Sequence, residues 1–146
     1  MLAEVHLVVG VAVIALNLVA AAWGTWSWLR RRPSVSFWYV LRAAQSSVIV
    51  QVLLGALLLV SGQEADDAIH YMYGVGPLLV NLFAEGMRVG AAQREVGGLD
   101  FEALPAPEQR AIALQIVRRE TAIMAIASAL VVAFAFRAAQ VSGKLF

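Results

Sequence analysis

The sequence predicts an all-α protein: a four-helix transmembrane bundle of two tandem hairpins with pseudo-two-fold symmetry, both termini facing outward. Three observations predict it. First, 61% of the 146 residues are hydrophobic and 14% charged, and the mean hydropathy is +0.76, values well outside the range of a soluble globular domain. Second, four apolar stretches, at about 3–29, 44–61, 68–87 and 121–141, each approach the ~20 residues that cross ~30 Å of hydrocarbon as a helix. Third, His6-x3-Gly10-Val11-x5-Asn17-Leu18 recurs as His70-x3-Gly74-Val75-x5-Asn81-Leu82. Hairpins repeated in one orientation imply an axis along the membrane normal, with the first and third helices facing each other across it.

The first stretch carries His6 and ends at Arg30, Arg31 and Arg32; Trp23, Trp26 and Trp28, with Trp38 and Tyr39 beyond the loop, read as an interfacial girdle. In the second stretch Gln51 is a polar residue set for interhelical hydrogen bonding, and Gly55, four residues on, permits close approach of a neighbour. The third stretch opens at His70 and is interrupted by Pro77, which bends a helix. It ends near Glu85, whose spacing from Arg88 at i+3 fits a partly buried ion pair. Asn17 and Asn81 fall three turns after their histidines, near mid-membrane, and are expected to bond across helices. Before the fourth stretch, Gly97-Gly98 is a breaker and Pro107-Glu108 a helix start. The segment at about 107–120, in which Ile112, Leu114, Ile116 and Val117 alternate with Arg110, Gln115, Arg118 and Arg119, reads as a cytoplasmic amphipathic extension.

Charge placement orients the bundle. Arg30, Arg31, Arg32 and Arg42 flank the first loop, and Arg88, Arg94, Arg110, Arg118 and Arg119 the third, whereas the loop from Gly62 to Asp67 has neither Lys nor Arg. The positive-inside rule puts the arginine-rich loops in the cytoplasm and both histidines near the outer surface of a bacterial inner (cytoplasmic) membrane. No cleaved signal peptide is expected, because the positive charges follow the first apolar run instead of preceding it. The absence of cysteine excludes disulfides, thiolate ligands and iron-sulfur clusters. A net charge of +1 sums asymmetric loops and gives no reason to invoke nucleic acid.

The chemistry rests on His6 and His70, the only two histidines. Two neutral imidazoles from opposing helices can supply both axial ligands of a haem b iron. Gly10 and Gly74 lie one turn further along the same faces, where a missing side chain lets a porphyrin approach the backbone. Arg137, near the outer end of the fourth helix, is a candidate partner for a propionate, and Tyr71 and Tyr73 are candidates for the pocket edge. The expected role is that of a membrane cytochrome in electron transfer or haem handling, with a redox partner or respiratory complex outside this chain. Two alternatives stand beside it. Glu4, His6, His70 and Asp66 or Asp67 form a possible carboxylate and imidazole set for zinc, iron or copper. The small-residue faces at 20–22 and 125–129 suit a scaffold or accessory subunit, or a homo-oligomer, in the bilayer.

The run Gln51-Val52-Leu53-Leu54-Gly55-Ala56-Leu57-Leu58-Leu59-Val60-Ser61-Gly62, followed after a short outer loop by His70 at a helix start, resembles the corresponding part of haem A synthases. That family is built of two four-helix halves, each with a haem site near the outer surface using histidines from two helices. The resemblance spans about 70 residues, 5–74, and implies one such half, with His6 and His70 as the ligand pair. Leu7 stands where the family tends to have an arginine after its first histidine.

Overall fold

A computed structural model describes residues 1–63, 65 and 67–142. It is all-helical: α1 (Leu2–Leu29), α2 (Val35–Val60), α3 (Ile69–Val96) and α4 (Ala106–Val141), with a single 3-10 turn at Phe101–Ala103 before α4. Three of the four, α1, α2 and α4, are long and apolar enough to cross a membrane. The helix that carries the third stretch runs on past it to Val96.

Helix ends differ from the apolar stretches for a common reason: polar residues stop a membrane span but not a helix. α2 begins at Val35, not near 44, because Ser34 caps it; its Oγ accepts from the Phe37 amide at 3.3 Å, satisfying one of the first-turn donors. The cap brings Phe37 and Leu41 into the core, where both are fully buried. α4 is one continuous helix of 36 residues, about 54 Å at 1.5 Å per residue, with no break between the amphipathic and apolar parts. Its extension is tied to that of α3, since Arg119 pairs with Glu95 and Gln115 Nε2 donates to Glu95 Oε2 at 2.8 Å.

α4 packs along both α3 and α1, and α1 also along α2, whereas α2 meets α3 only sparsely. α1 and α3 therefore lie on a diagonal. The α4–α1 and α2–α3 seams, which a pseudo-two-fold axis would relate, differ: one is tight and the other open.

The core sits toward the arginine-bearing end. Ala20, Ala44, Ala84 and Ala127 surround Phe37, Leu41 and Met124, and a smaller group of Val13, Val48 and Val131 follows toward the other end. Small side chains let the backbones approach, the usual source of attraction between helices in lipid. Gly24 is the extreme case: a Cβ there would stand 2.7 Å from Phe37 Cε2 and 2.8 Å from Ala125 Cβ. Large apolar side chains such as Leu53, Leu57, Phe83 and Ile126 are instead exposed, as a lipid-facing surface requires.

The polar residues inside are placed differently from expectation in one respect. Asn17 is completely buried, but its Nδ2 donates to the Val13 carbonyl of its own helix at 2.9 Å, not to a neighbouring helix. A short amide has its own i−4 carbonyl within reach, and that local bond competes with any partner across the interface. Glu85 joins more helices than its i+3 spacing suggested. Its Oε1 accepts from Arg42 Nη1 at 2.5 Å and from Gln45 Nε2 at 2.9 Å, both on α2, and its Oε2 from Arg88 Nε at 2.9 Å. Arg88 also reaches Glu120 of α4 at 3.3 Å. This network clamps α2 to α3 at one end of their open seam.

Candidate functional site

Where the core ends, the bundle opens into a cavity of about 500 Å³ lined by all four helices and by the α2–α3 loop. That volume lies within the range of small-molecule and cofactor sites. His6, on the second turn of α1, and His70, the second residue of α3, both line it. Their ring centres are 6.3 Å apart, with the planes inclined at 58°. The histidines are thus the point at which the two diagonal helices come together.

His70 is held in one tautomer. Its Nδ1 lies 3.1 Å from the Ala138 carbonyl oxygen near the end of α4. A carbonyl can only accept, so Nδ1 carries the proton, and in the neutral ring the lone pair is then on Nε2. A backbone carbonyl on one imidazole nitrogen, with the other left as a donor pair, is the habitual support of a metal-ligating histidine. The same carbonyl accepts from the Ser142 amide at 3.2 Å, which fixes its position at the helix end.

His6 is set against α2. Gln51 Nε2 lies 3.1 Å from His6 Nε2, so Gln51 makes the interhelical bond expected of it. Gly55, one turn along, is what permits the approach: a Cβ there would be 3.3 Å from His6 Cε1. The two glycines paired by the repeat have separate surroundings. Nothing lies within 4 Å of a Cβ built on Gly74, whereas one on Gly10 would meet Gln51 Nε2 at 3.1 Å. Gly74 therefore faces open space, and Gly10 makes room for the Gln51 side chain. The difference could not be read from the repeat, because α2 contributes Gln51 from outside it.

Tyr71 lines the cavity and pins its cover, its hydroxyl accepting from the Ala65 amide at 2.8 Å. Tyr73 also lines it and packs on Phe134 of α4, ring centres 6.0 Å apart. Pro77 is buried among the lining residues. Beside it, a Cβ on Gly76 would overlap the Phe134 ring, so the Phe134 side chain of α4 packs directly on the α3 backbone just below the site. Arg137 is not brought to the cavity wall; it is exposed, and its Nη1 donates to Gln140 at 3.3 Å along the same helix.

The carboxylate set is brought together only in part. Asp67 lines the cavity with both histidines, its Oδ1 accepting from the Ile69 amide at 2.8 Å, whereas Glu4 is exposed and pairs with the N-terminal ammonium at 3.2 Å, and Asp66 lies outside the described residues. Among the described residues no group of three or more His, Asp or Glu side chains is placed to hold a metal ion. The site that does assemble offers two imidazoles and an otherwise largely apolar wall.

No protein-family model, curated protein or solved structure matches the chain. The likeness to haem A synthases rests on the residues quoted for it alone.

Proposed function

We propose that the chain is a membrane cytochrome: a four-helix protein of the bacterial inner membrane, oriented N-out and C-out with α3 as its fourth span. It holds one haem b between His6 and His70, and serves electron transfer or haem handling. The observation that carries this reading is the ring separation of 6.3 Å. A metal–imidazole bond of about 2.0 Å and a ring-centre-to-nitrogen distance of about 1.2 Å would put two rings about 6.4 Å apart if they held one ion from opposite sides. Rings in edge contact reach similar separations, as Tyr73 and Phe134 do at 6.0 Å; the spacing supports ligation together with the Ala138 bond, which engages Nδ1 of His70 and leaves Nε2 out of it.

The residues around the pair fit the group. Ala138 sets the His70 tautomer and leaves Nε2 to ligate. Gly74 leaves room beside His70, and the apolar walls from Val11, Val52 and Ala135 exclude water. Haem, when bound, would supply a one-electron redox couple, and the protein would supply the two imidazoles, burial and orientation. Holding the group through His6 Nε2 would need the lone pair that Gln51 Nε2 faces at 3.1 Å, so Gln51 is the side chain that would give way. The pseudo-two-fold relation of the hairpins fits a site drawing one ligand from each.

A second reading has a specific observation in its favour. The Gln51–His6 contact is also what a structural interhelical hydrogen bond looks like, and on that reading the chain is a non-catalytic subunit packed in a larger membrane complex. Visible absorption of protein purified from haem-replete cells separates the two: low-spin haem bands that need both histidines support the cytochrome, and a colourless protein supports the scaffold.

A further inference from the structure

At the opposite end from the histidines, a second cavity of about 730 Å³ opens between the last turn of α1, the end of α3 and the extension of α4. Five arginines line it: Arg31, Arg32, Arg94, Arg118 and Arg119. Arg119 is paired with Glu95. The other four have no carboxylate partner among the described residues. The rest of the wall is largely apolar, with Trp28, Val117 and Ile123 facing the same space.

Arg31 supplies an independent observation. It is the one non-glycine among the described residues with positive φ, at 54°, while the two other left-handed positions, Gly62 and Gly98, both at 80°, are glycine. The turn at Arg31 is a helix stop in which Arg31 N donates to the Trp28 carbonyl and Arg32 N to that of Ser27, each at 3.1 Å. Glycine is the residue this geometry favours, and an L side chain there is strained. Offsetting the helix dipole does not call for an arginine at this position, since Arg30 and Arg32 flank it. The strained residue is one that lines the cavity.

We propose that this cavity binds the phosphodiester headgroup of an anionic phospholipid. Guanidinium groups pair with phosphate oxygens through two parallel hydrogen bonds. The tryptophans near this end mark it as the membrane boundary, where basic clefts between helices take anionic headgroups. The apolar wall fits the glycerol and upper acyl region, which a free phosphate ion lacks. This assignment does not depend on the cytochrome reading.

The test uses the full chain in neutral detergent, titrated with dihexanoyl phosphatidylglycerol, dihexanoyl phosphatidylcholine or inorganic phosphate, with Trp fluorescence and native mass spectrometry as readouts. The expected result is saturable binding of phosphatidylglycerol, with phosphatidylcholine and phosphate far weaker. Arg31→Gly and Arg118→Gln should each weaken it about fivefold. Arg31→Gly should also leave the lipid-free melting temperature unchanged or higher, because it relieves strain, so its effect on binding is not one of unfolding. Equal binding of both lipids, binding of phosphate alone, or undiminished phosphatidylglycerol binding by Arg31→Gly and Arg118→Gln would each overturn the proposal.

Discussion

The imidazole of His70 donates from Nδ1 to the carbonyl oxygen of Ala138, 3.1 Å away and 68 residues further along the chain. One hydrogen bond therefore joins the start of α3 to the end of α4 and decides which ring nitrogen is left as a base. In a sample of the protein without haem, ¹⁵N NMR of the neutral His70 ring should show the proton on Nδ1 and not on Nε2. The opposite tautomer would remove the support for His70 as a ligand.

Gly74 gives a test of the cavity that leaves the fold intact. A Cβ there meets nothing within 4 Å, so Gly74→Ala should fold normally and gain up to about 1 kcal/mol of helix stability. Gly74→Phe should fill the space beside His70 and cut haem occupancy by tenfold or more. Unchanged haem content in Gly74→Phe, measured by pyridine haemochrome per mole of protein, would place the cofactor elsewhere.

Gln51 separates the cytochrome from the scaffold reading. If it only yields to the iron, Gln51→Leu keeps the low-spin spectrum and binds haem at least as tightly as the parent. If the bond to His6 at 3.1 Å is there to hold the helices, Gln51→Leu lowers the melting temperature by the loss of about 1 kcal/mol in a protein that carries no haem.

Close packing below the site makes a further prediction. Gly76→Ala should cost about 1–3 kcal/mol, because the added methyl overlaps Phe134 and a packed interface resists overfilling. Gly86→Ala, on the same helix with nothing within 4 Å, should be neutral or stabilising. Thermal melts of the two in one detergent check the contrast.

Glu85 clamps α2 to α3 where those helices otherwise touch little. Glu85→Gln should cost about 1–2 kcal/mol, a charged hydrogen-bond network discounted for the 52% exposure of Arg42. Spin labels on α2 and α3 should report a wider separation in the variant; an unchanged distance would mean that packing alone closes the bundle.

Local patterns made much of this legible. The count of helices follows from apolar stretches and punctuation, and the histidine pair from a repeat that needs only one sequence to be seen. Gln51 and Gly55 declared themselves as a polar residue and a small one, a turn apart on a membrane helix. What the pattern could not carry was non-local. The reach of Arg42 across 43 residues to Glu85 and the contact of Gln51 with Gly10 depend on how helices are rotated, which hydropathy does not encode. Helix ends run beyond the apolar stretches because hydropathy reports where lipid stops, whereas Ser34 starts α2 and the Gly97-Gly98 turn ends α3. For Asn17, spacing shows a face but not that the i−4 carbonyl of its own helix is within reach.

The central claim is that His6 and His70 ligate one haem iron. Its most direct test is the reduced-minus-oxidised visible spectrum of the purified protein beside those of His6→Ala and His70→Ala. The account predicts sharp α and Soret bands of a low-spin b-type haem in the parent and their loss in both variants, with the variants still folded by circular dichroism. A colourless parent protein from haem-replete cells, or bands that survive either substitution, would contradict it.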